Sequence, residues 1–248
     1  MSLGERLEPV ALVTGAGTRL GAMMARGLER HARGGLILVD GDDAALQAAA
    51  DALENPPDRV STLAFNDSDR ARWEQAREFI AGAYGRLDWA AVYAFLEGGA
   101  GGGATTWKRA VTAPLDAAFV ALRAAITLMR DNTQGGAAVL IASADALLDG
   151  PGGRLAEREG LLQFMRVAAR EAGASRVRVN AIAIGDPAAP AWAHTPAFDI
   201  AQDTLNGAPP ALARYEGRGD IARLARALMS DMSSITGATL VADGGHTL

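Results

Sequence analysis

Short aliphatic runs alternate along this chain with longer segments of helical period, and few folds accommodate that alternation. The runs are Val10–Thr14, Leu36–Asp40, Val60–Phe65, Trp89–Ala94, Ala137–Ala142, Val177–Ala183 and Thr239–Ala242. Between the first two, Leu20, Met23, Met24, Gly27 and Leu28 recur at the spacing of one helix face, and Gly34-Gly35 ends that helix. Further helical stretches are expected at Asp43–Glu54, Asp69–Tyr84, Thr106–Arg130, Leu155–Glu171 and Asp220–Met229, with Pro56-Pro57 and Gly135-Gly136 as breakers. Strand and helix in alternation predict an α/β fold whose parallel strands are joined by crossover helices. The expected organisation is a tail at 1–8 and a single doubly wound domain at 9–248, with a seven-stranded sheet. A Pro/Ala-rich insert at 185–210 is placed on the substrate side, and the glycine-rich stretch Gly98 to Gly103 reads as a loop after the fourth strand.

Composition limits the classes of function. With 248 residues, 49% of them hydrophobic, the chain can bury one substantial core. Cysteine is absent, which excludes disulfides, thiolate zinc sites and a cysteine nucleophile. The N-terminus is short and polar, and no apolar run is expected to reach the roughly 18 residues of a membrane span. A cytoplasmic protein without a membrane partner is therefore expected. The net charge is −5 with both signs interspersed, so no nucleic-acid partner is expected either. The excess of arginine over lysine, with abundant Ala and Gly, reads as the codon bias of a GC-rich bacterial genome.

The first strand runs directly into Thr14-Gly15-Ala16-Gly17-Thr18-Arg19-Leu20-Gly21 and then into the amphipathic helix. Glycine permits a tight turn there, and a helix N-terminus offers amides and partial positive charge to a pyrophosphate. Asp40 ends the second strand, where a carboxylate can accept hydrogen bonds from ribose hydroxyls and repel a 2′-phosphate. A capped strand–helix turn without a ligand is the competing reading.

These residues resemble the short-chain dehydrogenase/reductase family, of the ketoacyl-reductase-like kind, and the resemblance runs from Val10 to Leu248. Thr14, Gly15, Leu20 and Gly21 match the family's glycine turn, with Arg19 in place of its middle glycine. Arg86-Leu87-Asp88, Arg170-Glu171, Arg176-Val177-Arg178-Val179-Asn180, Thr236-Gly237 and Asp243-Gly244-Gly245 are further family-like segments in the family's order. The resemblance implies a Rossmann fold and a nicotinamide cofactor held by Gly15, Gly17, Thr18, Arg19, Leu20, Gly21, Asp40 and Ala94. Asn66 or Asp67 falls where the family reads adenine, with capping of the following helix as the alternative. Asp40 favours NAD; Arg19, similar to an arginine of pteridine-reductase-like members, keeps NADP as the alternative.

The family's chemistry is hydride transfer assisted by a tyrosine acid/base, a lysine, a serine and an asparagine. No Tyr-x-x-x-Lys pair exists in this chain, since its only lysine is Lys108 and its tyrosines are Tyr84, Tyr93 and Tyr215. Ser143 matches the family's serine. Alignment through Gly160-Leu161 and Phe164 places Arg154 at the tyrosine position and Arg158 at the lysine position, while Pro114 takes the asparagine position. A guanidinium keeps its charge at any cellular pH, so neither arginine can exchange a proton. The family's Asn-Asn-Ala-Gly segment reads Val92-Tyr93-Ala94-Phe95. Asp145 is a candidate partner for Arg154 or Arg158, with a solvated loop residue as the plainer reading.

The expectation from these changes is an NAD-binding pseudoenzyme with a regulatory or structural role. The alternatives are an oxidoreductase with an unusual proton donor (water, Ser143 or His194) and a lyase-like or isomerase-like activity in which Arg154 and Arg158 stabilise an anion. The family also implies a homodimer or homotetramer, or a mixed oligomer with an active paralogue. Leu161, Leu162, Met165, Ala168 and Ala169 are expected to form its contact face, against the plainer expectation that they pack on the chain's own sheet.

Overall fold

The computed structural model describes residues 8–54, 56–94, 104–144, 153–185 and 218–245. Seven strands form one parallel sheet in the order β3-β2-β1-β4-β5-β6-β7. They are β1 (Val10–Thr14), β2 (Gly35–Asp40), β3 (Val60–Ala64), β4 (Trp89–Tyr93), β5 (Gly136–Ser143), β6 (Val177–Ile184) and β7 (Thr239–Ala242). The helices among the described residues are α1 (Arg19–Leu28), α2 (Asp43–Asp51), α3 (Arg70–Tyr84), α4 (Ala104–Met129), α5 (Gly153–Ala172) and α6 (Arg218–Ser230). The strand order reverses between β1 and β4, and in open α/β sheets the crevice at that switch point receives the ligand.

Helices cover both faces, which is why the strands read as continuous apolar runs. Alternate strand residues serve opposite layers. Leu12, Ile37 and Val39 pack with Trp73 and Ile80 of α3, Leu122 and Met129 of α4, and Leu161 and Met165 of α5. Val13, Leu36 and Leu38 pack with Leu20, Met24 and Leu28 of α1, Leu46 of α2 and Ile221 and Leu228 of α6. Full burial of each such side chain contributes about 1.5–3 kcal/mol.

Polar ties fix the sheet's register to its surroundings, and they account for several family-like segments. Asp88 is buried, accepts the amide of Val10 at 2.9 Å and pairs with Arg86. Asn180 donates to the Ile235 carbonyl at 2.9 Å and accepts from the Ala238 amide at 3.1 Å, which clamps β6 to the approach of β7. Arg178 donates to the carbonyls of Leu228, Met229 and Met232 at the end of α6, satisfying groups that a helix C-terminus leaves open. Burial there lowers the Arg178 pKa.

Three expectations are corrected. Gly34-Gly35 does not end α1, which stops at Leu28; the glycines instead form the turn into β2. A 19-residue stretch of α4, Val111–Met129, is long and apolar enough to cross a membrane, contrary to the reading that no such run exists. Its Ala118, Ala121, Leu122, Ala125 and Met129 are buried in the α3–α4–α5 layer, so its apolarity has a use inside the fold. The proposed contact face of α5 is also spent. Leu161, Leu162, Met165, Ala168 and Ala169 are all buried within the single chain, at most 6% exposed. The stripe covers the chain's own sheet and leaves nothing of those residues for a partner.

Candidate functional site

At the end of β1 the chain turns through Gly15 with a positive φ of 61°. Thr18 then caps α1: its hydroxyl accepts from the Gly21 amide at 3.0 Å and donates to the Gly15 carbonyl at 2.7 Å. A Cβ on Gly21 would lie 2.0 Å from that carbonyl oxygen, and one on Gly15 would lie 2.7 Å from Cδ1 of Tyr93. The cradle therefore exists only because both positions are glycine. Leu20 is buried and anchors the first helical turn in the core. Arg19 is exposed and makes no ion pair among the described residues. No acidic residue stands in the first turn of α1, so nothing there offsets the partial positive charge of the helix end.

Asp40 is held from two sides. Its Oδ2 accepts the Gly17 amide and its Oδ1 accepts the Asp42 amide, both at 2.9 Å. Each oxygen retains acceptor capacity, so the carboxylate is oriented before any ribose hydroxyl arrives. A Cβ on Gly17 would come within 3.1 Å of the Asp40 carboxyl, so glycine allows this approach too. Asp67 lies nearby, and burial followed by the negative charge of Asp40 raises its pKa. Asn66 spends its side-chain oxygen on the amide and hydroxyl of Ser68, while Asp69 caps α3 through the Ala71 and Arg72 amides. Both adenine-side candidates follow β3 at the end where Ala64 pairs with Asp40. The residues fit a dinucleotide: a glycine cradle at a helix N-terminus and an oriented carboxylate at the adjacent strand end.

The other side of the switch point differs. Ala94 donates its amide to the Ile141 carbonyl, and the Tyr93 amide donates to the Thr14 hydroxyl, which joins β4 to the start of the glycine turn. Tyr93 is 7% exposed, and its ring packs over Gly15, a contact whose one signal in the sequence is the position of Tyr93 at the strand end. Ser143 is 5% exposed, and its hydroxyl has no hydrogen-bond partner among the described residues. Arg158 is 9% exposed; its Nη1 reaches Glu159 at 3.0 Å, and its Nε has no partner among the described residues. Pro114 is buried within α4, where it can supply no side-chain hydrogen bond. A Cβ on Gly160 would lie 3.1 Å from Leu115, so α4 and α5 meet closely where the turns carrying Pro114 and Arg158 adjoin. Glu157, which sequence reasoning passed over, is buried beside Arg158 in the chain. Arg154 falls within α5, but its side chain, like Asp145, Phe95, His194 and the rest of the 185–210 insert beyond Gly185, lies outside the described residues. No cluster of metal-ligating side chains occurs among the described residues.

Comparison with known proteins agrees with this architecture. The family model described as enoyl-(acyl carrier protein) reductase matches residues 15–247. The chain is 30% identical to levodione reductase of Leifsonia aquatica, covering 97% of this chain and 94% of that protein. It is 28% identical to an A-factor type gamma-butyrolactone 1′-reductase (1S-forming) of Streptomyces virginiae, over 97% and 96% of the two chains. The structure of a short-chain type dehydrogenase/reductase from Mycobacterium ulcerans superposes with a TM-score of 0.81 at 26% identity, over 97% of this chain and 90% of that one. With its parallel sheet, its glycine cradle and a match that spans both, the chain belongs to the short-chain dehydrogenase/reductase family of oxidoreductases.

Proposed function

We propose that this protein binds NAD(H) through the β1–α1 turn and Asp40 and has lost most or all of the family's hydride-transfer activity. The observation that supports this reading most is the state of the β4–β5 side. By resemblance the lysine position falls on Arg158 and the asparagine position on Pro114, both buried, and the hydroxyl of Ser143 has no partner among the described residues. Without a group that can give and take a proton beside the nicotinamide, loss of acid/base catalysis alone costs about 10²–10⁴-fold in rate. NAD is favoured over NADP because a 2′-phosphate would approach both Asp40 and Asp67, against the single exposed charge of Arg19. In this reading Gly15, Gly17, Thr18, Arg19, Leu20 and Gly21 line the phosphates, Asp40 holds the adenosine ribose and Asp67 sits on the adenine side. A cytoplasmic pseudoenzyme that assembles with itself or with an active paralogue remains the fitting biological setting, through a surface other than the buried stripe of α5.

Fluorescence titration with NADH and NADPH, followed by steady-state assays on a panel of ketones and alcohols, tests the proposal. Saturable NADH binding with negligible turnover is expected. A preference for NADPH that Arg19→Ala abolishes would reverse the cofactor assignment. The names of the curated relatives, both reductases, favour a second reading, in which a carbonyl reductase uses water, Ser143 or His194 as its proton donor. Brisk turnover on that panel, lost in Ser143→Ala or His194→Ala, would select it.

A further inference from the structure

We propose that Arg158 and Ser143 form an anion subsite at the carboxyl edge of the sheet, suited to a small molecule bearing one carboxylate. The inference extends the cofactor-binding reading without depending on it. Arg158 stands one turn ahead of Leu161 and Leu162 on α5, and so continues the stripe that faces the sheet. Because α5 follows β5 and runs back along it, that turn lies toward the strand ends where Ser143 sits.

Two independent observations point to a ligand. Arg158 is nine-tenths buried, yet among the described residues it pairs with Glu159, whose side chain is half exposed, and its Nε has no acceptor among them. The Ser143 hydroxyl, on a different element, is buried and equally without a partner. Buried polar atoms are nearly always satisfied, and an incompletely paired buried guanidinium is costly. An arriving carboxylate would accept from the Nε edge of the guanidinium in the parallel two-bond geometry that arginine offers, and from the serine hydroxyl. Pro114 and the apolar Leu115 beside Gly160 bring no competing donor to this corner. One guanidinium matches one carboxylate in that geometry, so the charge of the ligand is expected to be −1.

Isothermal titration calorimetry of the full chain, with and without NAD⁺, decides this using acetate, acetoacetate, benzoate, methyl acetoacetate and inorganic phosphate as probes. At least one carboxylate should bind saturably without NAD⁺, while the neutral ester should not. Arg158→Gln should weaken that binding at least about tenfold, Arg158→Lys less, and Ser143→Ala by several-fold. Circular dichroism checks that each variant is folded; if Arg158→Gln is not, Arg158→Lys and Ser143→Ala carry the test. The proposal is overturned if no carboxylate saturates, if the ester binds as well as the acid, or if phosphate binds more tightly than every carboxylate. It is equally overturned if binding requires NAD⁺, survives the Arg158 and Ser143 substitutions, or is abolished by Arg19→Ala, which would place the anion on the glycine turn. NADH fluorescence is read separately, so failure of the cofactor reading leaves a different signature.

Discussion

On the β1–β2 side of the switch point the polar side chains are engaged: Thr18 bridges Gly15 and Gly21, and Asp40 takes an amide on each oxygen. On the β4–β5 side, Ser143 at the end of β5 and Arg158 on α5 carry buried polar atoms with no partner among the described residues. The first region is over-determined by its glycines, because a methyl group at Gly21 has nowhere to go. The second tolerates a proline inside a helix and a charge inside a core. The difference shows which region is constrained by backbone geometry: the turn after β1 requires its glycines, while the β4–β5 side holds buried polar atoms that the described residues leave unengaged.

The largest effect is expected at Gly21. Its Cβ would overlap the Gly15 backbone carbonyl, which cannot swing aside as a side chain would. Gly21→Ala should cost at least about 3 kcal/mol of stability and remove NADH binding, as strain at a backbone-defined position does. Thermal melts and the fluorescence titration measure both. A folded variant of unchanged affinity would show that the turn is less constrained than it looks, and the comparison above would fail.

Asp40→Ala should come next. It leaves the amides of Gly17 and Asp42 without their acceptor, and charge-assisted bonds of this kind contribute about 1.5–3 kcal/mol when buried and less at a half-exposed site. NADH affinity should fall about tenfold, equivalent to about 1.4 kcal/mol, and the discrimination against NADPH should largely vanish. If instead NADPH is excluded as before, the selectivity resides elsewhere.

Ser143→Ala should behave in the opposite way. It deletes a buried hydroxyl that has no partner among the described residues, so the protein should be unchanged in stability or gain up to about 1 kcal/mol. Chemical denaturation is the measurement. A loss of more than about 1 kcal/mol would mean that the hydroxyl has a structural partner after all, and the contrast between the two regions would narrow.

Much of the fold was legible because parallel strands buried on both faces announce themselves as aliphatic runs, and all seven lie within a residue of their expected ends. The glycine turn was legible for a related reason, since Gly15 and Gly21 are demanded by backbone geometry alone. What sequence could not reveal was which neighbour a side chain would find. Periodicity put Leu161, Leu162 and Met165 on one face of α5 but could not say that the chain's own sheet would take that face. Nor could it foresee Tyr93 lying over Gly15, or the Asp40 carboxylate closing on the Gly17 amide, since each joins residues from separate strands. Arg178 and Asn180 looked like family markers in the sequence; only the tertiary contacts show them capping α6 and clamping β7.

The smallest effect probes the nucleotide side from its edge. Asp67 has a raised pKa from burial and from the charge of Asp40, so the folded state holds its proton to a higher pH than the unfolded chain does. Its contribution to stability is therefore fully present below the ordinary carboxylate range and is lost as pH rises through the raised value. Asp67→Asn keeps an oxygen acceptor for the turn and removes that loss. The variant should melt slightly above the parent at neutral pH, and the difference should shrink toward about pH 4, where a free aspartate takes up its proton. Thermal melts across that range test the sign. A difference that grows toward acid would mean that Asp67 is stabilised as a carboxylate, and the picture of two acids crowding the 2′-phosphate position would have to be replaced by one in which Asp67 has a cationic partner.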